Sequence, residues 1–171
     1  METRQLFHGY SIREDGEVYR PNGDVVPTNK FNDYRGVVVS GRNYYVHRLV
    51  ARKFVDQLVP WFKIVDHIDR DKFNNHKSNL RWVSKRINSL NSDAKNAYKV
   101  RNAWKRRNPW MARVCGKVLG YFNTYEEAHA VGKAYRFSLI DLLIKEACES
   151  YKKGLLTCSS EMPDRYPVYA Y

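Results

Sequence analysis

The sequence predicts an α+β fold, with a strand–loop–strand–helix unit mid-chain between small antiparallel β modules. Three observations predict it. Turn dipeptides recur in the first third, with β-formers between them. A polar segment in the middle separates two short apolar runs and is followed by a capped helix pattern. A second hairpin signal and a long apolar-striped helix come after that.

Residues 1–46 are expected to form one β-rich module. Asp15-Gly16, Asn22-Gly23 and Ser40-Gly41 are its turns, and Glu17–Tyr19, Tyr34–Ser40 and Tyr44–Val46 are the runs between them. His47–Val55 reads as a helix, with Leu49, Val50 and Phe54 on one face. Lys63–Ile68 is a short strand, residues 70–79 form a loop, and Asn79 opens a second strand through Leu80–Val83. Ser84 is a suitable N-cap for a helix running through Ile87 and Leu90. Ile64, Leu80 and Trp82 are expected in the core.

The divisions expected from this pattern are 1–46 (β module), 47–92 (core unit), 93–109 (basic linker), 98–150 (three-stranded sheet plus helix) and 151–171 (tail). In the fourth, Trp110–Cys115 and Val118–Phe122 flank the turn Gly116-Lys117, and a poorly marked first strand falls near Tyr98–Arg101. Thr124 and Glu127 have the spacing of a capping box, opening a helix from Tyr125 to about Ser150. Its apolar stripe is expected to run through Ala128, Val131, Ala134, Tyr135, Leu139, Leu142 and Leu143.

Composition narrows the function classes. Thirty Lys and Arg stand against eighteen Asp and Glu, a formal net charge of +12 over 171 residues. A surface this cationic gains affinity for polyanions by releasing counterions from phosphates, so double-stranded DNA is the expected partner. The charge is also uneven: residues 94–125 contain eight Lys or Arg and no Asp or Glu. Cys115, Cys148 and Cys158 form no CxxC pair, which argues against a zinc ribbon and against a disulfide framework. No run suits a signal peptide or membrane span, and no small-molecule cofactor is expected. A cytoplasmic protein acting as a monomer on DNA is the resulting expectation.

The chemistry is concentrated in VDHIDRDKFNNHKSNLRWVSKRINSLN, residues 65–91. Asp66 and His67 fall on the first strand, and Asn88 lies one helical turn after Ser84. A strand pair beside a helix can bring Asp66 and Asn88 together although 22 positions separate them. A carboxylate and an amide carbonyl are oxygen donors suited to a hard divalent ion such as Mg2+ or Mn2+. Phosphodiester hydrolysis needs a nucleophile made from water, and an imidazole titrating near neutrality is the natural proton acceptor, which points to His67. Asn79 is suited to bonding backbone groups across the loop and to orienting His67.

The run from HRLVARKF through VDHIDRDKFNN to NLRWVSKRIN resembles the HNH homing endonucleases encoded by phage introns and as free-standing phage genes, over about Arg48–Asn91. The resemblance implies a ββα-metal (His-Me finger) core holding one divalent ion per site. It implies Asp66 and Asn88 as metal ligands, His67 as general base and Asn79 as the central asparagine of the motif. Asn88 stands where the family name has its last His, which turns the expectation away from zinc. The implied activity is DNA cleavage at a selected site, nicking or cutting to leave 5′-phosphate and 3′-hydroxyl ends, in a bacterial host cell.

The flanks resemble DNA-binding modules of such nucleases, and WMARVCGKVLGYFNTYEEAHAVGKAYR resembles an AP2-type domain. The DNA-contact candidates are Arg35, Arg42, Arg48, Lys95, Arg101, Arg106, Arg107, Trp110, Arg113 and Lys117, most of the arginines for phosphate. Trp104 is a candidate stacking residue. His47 is expected to cap or pack, His76 to be a solvated loop residue, Asp69 and Asp71 to shape the loop, and His8 and His129 to lie at the surface. Two readings from other classes stand beside this one: a non-cleaving DNA-binding regulator, and a weakly specific defence nuclease.

Overall fold

The computed structural model describes residues 1–92, 96–100 and 107–154. The chain divides into two compact units at Lys85/Arg86.

The first unit contains two three-stranded antiparallel sheets, a helix and a two-stranded ribbon. Strands β1 (Thr3–Gln5), β2 (Ser11–Arg13) and β3 (Val18–Tyr19) form one sheet in that order. Strands β4 (Thr28–Phe31), β5 (Tyr34–Val39) and β6 (Arg42–Tyr45) form the other. The expected turn at Ser40-Gly41 joins β5 to β6 with both residues at positive φ, the conformation a two-residue hairpin turn favours. Asn32-Asp33 does the same between β4 and β5, a turn and a strand that the sequence pattern did not reveal.

Helix α1 (Val46–Phe54) follows β6 directly. Leu49 and Val50 are buried as expected, and Val46 and His47 are buried with them. Val46, Leu49 and Val50 join Ile12, Val18, Val37, Val39 and Leu80 in one core cluster. The expected boundary at 46/47 therefore falls inside a single core. Burying apolar faces too small to be stable alone is the physical reason the first 45 residues do not separate.

Ribbon strands β7 (Ile64–His67) and β8 (Leu80–Val83) are antiparallel, pairing Ile64 with Val83, Asp66 with Arg81 and His67 with Leu80. Leu80 is buried, whereas Ile64 and Trp82 are only half-buried. The Trp82 indole donates to the Val55 carbonyl at 3.1 Å. Asn79 does not open β8. It ends a 3-10 turn, Lys77–Asn79, because its amide is drawn back into the preceding loop. Helix α2 (Lys85–Leu90) starts after Ser84.

The second unit holds β9 (Ala97–Lys99), β10 (Trp110–Val114), β11 (Lys117–Phe122) and α3 (Tyr125–Lys152). The sheet order is β11-β10-β9, all antiparallel. The hairpin turn is Cys115-Gly116, both at positive φ, one residue earlier than the sequence suggests. Thr124 accepts from the Glu127 N–H while Glu127 accepts from the Thr124 N–H, the reciprocal capping box that starts α3. Ala97, Ala112 and Ala128 make the contact core of sheet and helix.

The buried side of α3 is Ala128, Gly132, Ile140, Leu143 and Ala147. Val131 and Leu142, expected in the stripe, are 38% and 50% exposed. The phase is set at Gly132, where a Cβ would stand 2.6 Å from Asn96 Cβ, so only glycine lets the helix approach there. No described helix is long and apolar enough to cross a membrane.

Candidate active site

His67 is the last residue of β7 and 5% exposed. Its Nε2 lies 3.0 Å from Asn75 Oδ1. Asn75 Nδ2 donates to the Phe73 carbonyl at 3.2 Å, so the amide oxygen is the end that faces the imidazole. An acceptor there requires the hydrogen on Nε2 and makes Nδ1 the basic nitrogen of His67. Asn75 is 1% exposed and was not singled out from the sequence, where Asn74-Asn75 carries no signal of which side chain turns inward.

Asn79 performs the loop-closing part of its expected role. Its Oδ1 accepts from the Asp69 N–H at 3.0 Å, and its Nδ2 donates to Asp69 Oδ1 and to the Asn74 carbonyl, both at 2.8 Å. The amide that reaches His67 is that of Asn75, because the Asn79 amide is committed to the loop at both its oxygen and its nitrogen. Asp69 also takes the Asp71 N–H at 2.8 Å, and Asp71 takes the Phe73 N–H at 2.9 Å, so these two carboxylates shape the loop. Burial raises the Asp69 carboxyl, but the hydrogen bonds from Asn74 and Asn79 outweigh it and hold it below its ordinary value. His76 caps the 3-10 turn by accepting from the Ser78 N–H.

An aromatic residue and a second histidine flank His67. The His47 ring centroid lies 5.2 Å from that of His67, and Tyr34 lies 4.9 Å from His47 and 6.0 Å from His67. Lys72 sits 4.9 Å above the Tyr34 ring, bringing a cation beside the site. His47 is 5% exposed and its Nδ1 has no hydrogen-bond partner. Burial, then the neighbouring His67 and Arg48 charges, push His47 down to about 3, so its ring is neutral at working pH. The expected packing role of His47 is thus played against His67.

Asp66 is 7% exposed and is matched across the ribbon by Arg81. Arg81 donates from Nε at 2.9 Å and from Nη2 at 2.8 Å to the same oxygen, Asp66 Oδ2. Asn88 lies on α2, where its carbonyl accepts from the Asn91 N–H at 3.1 Å. Asp66 belongs to the first unit and Asn88 to the second. As donors, a carboxylate and an amide oxygen suit a hard divalent ion, and an ion at Asp66 would share that carboxylate with Arg81.

The DNA-contact candidates are dispersed. Arg42 and Arg48 are exposed in the first unit, with the Arg48 guanidinium 5.5 Å from the Tyr45 ring centroid, and Arg35 is half-buried on β5. Arg107, Arg113 and Lys117 are exposed in the second unit. Trp110 packs edge-on against Tyr125 at 5.3 Å, inside the small core of that unit. His129, expected at the surface, is half-buried and stacked on Tyr125 at 5.5 Å. Lys95, Arg101, Trp104, Arg106 and the tail beyond Gly154 lie outside the described residues.

Comparison with known proteins bears on the same segment. Residues 44–90 match the family described as HNH endonuclease. The chain is 45% identical over 51 residues to YosQ of the SPbeta prophage in Bacillus subtilis (strain 168), whose name places it among HNH homing endonucleases; this covers 30% of the chain and 29% of YosQ. It is 40% identical over 60 residues to the DNA endonuclease I-HmuI of Bacillus phage SP01, covering 35% and 34%. An uncharacterised HNH endonuclease of Acanthamoeba polyphaga mimivirus is 30% identical over 100 residues, covering 56% and 30%. The solved structure of I-HmuI, titled for DNA binding and cleavage by this HNH homing endonuclease, aligns with TM-score 0.44 and 33% identity over 53% of this chain and 57% of that one. The chain spans about a third of the length of the curated relatives it matches. Residues 44–90 of this chain are therefore similar to the HNH endonuclease family, and proteins named as homing endonucleases are among its relatives.

Proposed function

We propose that this protein is a divalent-metal-dependent DNA endonuclease of the homing type. It hydrolyses one phosphodiester bond per site and leaves 5′-phosphate and 3′-hydroxyl ends. The observation that carries this reading is the His67–Asn75 hydrogen bond, which selects the tautomer with a basic Nδ1 on a buried imidazole. In this role His67 Nδ1 takes the proton of the attacking water, and Asn75 stabilises the imidazolium by accepting from Nε2. Asp66 and Asn88 are the residues that would hold the ion. Bound there, the ion would supply charge neutralisation at the phosphate and at the leaving 3′ oxygen. Arg81 keeps Asp66 placed on the ribbon.

The net charge of +12 supports duplex DNA as the substrate, with Arg35, Arg42, Arg48, Arg107, Arg113 and Lys117 as phosphate contacts. The second unit, a three-stranded sheet on a long helix, is assigned the part of an AP2-like DNA-docking module. Trp110 is assigned to its packing rather than to the DNA face. The HNH domain and the names of its relatives favour cleavage over a purely regulatory role.

Incubation of supercoiled DNA with the protein and Mg2+ or Mn2+ tests the reading. The parent is expected to nick, and His67→Ala to lose about 100- to 10,000-fold in rate while still shifting DNA on a gel. Nicking by His67→Ala at the parental rate would sink the assignment of the base. Mapping cut ends across phage-sized DNA separates site-selected from scattered cleavage.

A further inference from the structure

His67 is held by Asn75, but Asn75 sits in a polar loop between β7 and the 3-10 turn, so something must hold the loop. The turn between β2 and β3 does so. Gly16 lies at φ +91° with its backbone pressed on this spot. A Cβ added there would stand 2.7 Å from Val46 Cγ1, closer than side chains tolerate, and 3.2 Å from Asn75 Cβ, close enough to push that residue by a few tenths of an ångström. Two residues before Gly16, the Glu14 carbonyl accepts from the Lys77 N–H at 2.8 Å, and the Glu14 carboxylate pairs with Lys77 Nζ. The turn is itself closed by the Gly16 N–H to the Arg13 carbonyl at 3.0 Å and by the Glu17 N–H to Asp15 Oδ1 at 3.1 Å. It therefore meets the catalytic loop at Asn75 and Lys77, and meets α1 at Val46, the residue before His47.

We propose that the Glu14–Gly16 turn is a brace for the catalytic base: it seats Asn75 against His67, making Asn75 and Gly16 positioning residues for DNA cleavage. The inference rests on the reading of His67 as general base. Buried Asn75 has only one arrangement that satisfies both ends of its amide, oxygen to His67 and nitrogen to Phe73, and the glycine surface behind it leaves no room to retreat. A shift of the loop would release the imidazole tautomer and move the basic nitrogen, and misplacement near 1 Å costs about 100-fold in rate.

The test combines single-turnover nicking of supercoiled plasmid in Mg2+ or Mn2+ with ¹⁵N NMR of the histidine side chains in the full chain. In the parent, neutral His67 is expected as the Nε2–H tautomer. Asn75→Leu, of similar volume but unable to accept, should mix the tautomers and lower the maximal rate about 30- to 100-fold, with half-saturating protein changed less than twofold. Asn75→Asp restores an acceptor and should recover most of that loss, which a merely structural role would not produce.

Gly16→Ala should show the same tautomer mixing, with a rate loss of about tenfold, and the double variant Gly16→Ala/Asn75→Leu should be no slower than Asn75→Leu alone. If Gly16→Ala does not fold, Glu14→Ala removes the carboxylate half of the same clasp, leaving its carbonyl bond to Lys77, and should lower the rate about threefold with the same spectral change. Parental rate and parental ¹⁵N signals in the folded brace variant overturn the proposal, as do losses that simply multiply in the double variant. Parental nicking by His67→Ala would instead overturn the underlying reading. An inactive His67→Ala beside a fully active Asn75→Leu would remove only the brace.

Discussion

Arg81 and Asp66 stand directly opposite each other on the β7–β8 ribbon, and Arg81 places two N–H groups on a single oxygen of Asp66. The side chains are 13% and 9% exposed, so the pair is largely removed from water. Breaking such a pair from one side is strongly destabilising, because a buried charge loses its bidentate partner. Arg81→Met is expected to destabilise the first unit by roughly 3 kcal/mol, measured by urea denaturation without metal. Added Mg2+ or Mn2+ should then raise the Tm of Arg81→Met more than that of the parent, because Arg81 no longer occupies Asp66 Oδ2. Equal metal-induced shifts in the two proteins would separate Asp66 from ion binding.

The loop of residues 68–79 depends on Asn79, whose amide makes three hydrogen bonds to Asp69 and Asn74. Asn79→Ala removes all three and strands the Asp69 N–H. At about 1 kcal/mol for each bond, the expected loss is roughly 2–3 kcal/mol. Denaturation measures it, and hydrogen exchange of the Asp69 amide should accelerate in step. A loss below about 0.5 kcal/mol would show that water replaces the side chain.

His47 links stability to pH. Its folded value is about 3 against an ordinary 6.5, with His67, Arg48, Tyr34 and Tyr45 around it. The unfolded chain therefore binds a proton between these values that the folded chain refuses. Stability from this group is complete above about pH 6.5 and falls as pH drops toward 3, by at most about 1.4 kcal/mol for each pH unit. His47→Phe keeps a ring of similar size and cannot titrate. Its Tm should decline less steeply than the parent's between pH 6.5 and 4, and parallel curves would show that His47 is protonated in the fold.

Lys117 is exposed on β11, with its ammonium 5.3 Å from the Tyr135 ring. As a phosphate contact it adds about one released counterion. Lys117→Ala should weaken DNA binding evenly across sequences and lower the slope of log affinity against log salt by about one. A changed sequence preference with an unchanged slope would make it a base reader instead.

The local features of this protein were legible without a structure. The order strand, loop, strand, helix, the seat of Asp66 and His67 on the first ribbon strand, and the Thr124–Glu127 capping box all depend on residues within a few positions of each other. So did the role of Asp69 and Asp71 as loop shapers. Packing decided the rest. Nothing in Asn74-Asn75 or in the NLRW run tells which asparagine meets His67, since that is decided by which side chain the folded loop turns inward. Arg81 became the partner of Asp66 through strand register, and His47 took its place beside His67 through the entry of α1 into the shared core. The side of α3 that is buried has Gly132 against Asn96 at its closest approach, where a Cβ would stand 2.6 Å from Asn96 Cβ, a contact between segments that a count of apolar residues along the helix does not register.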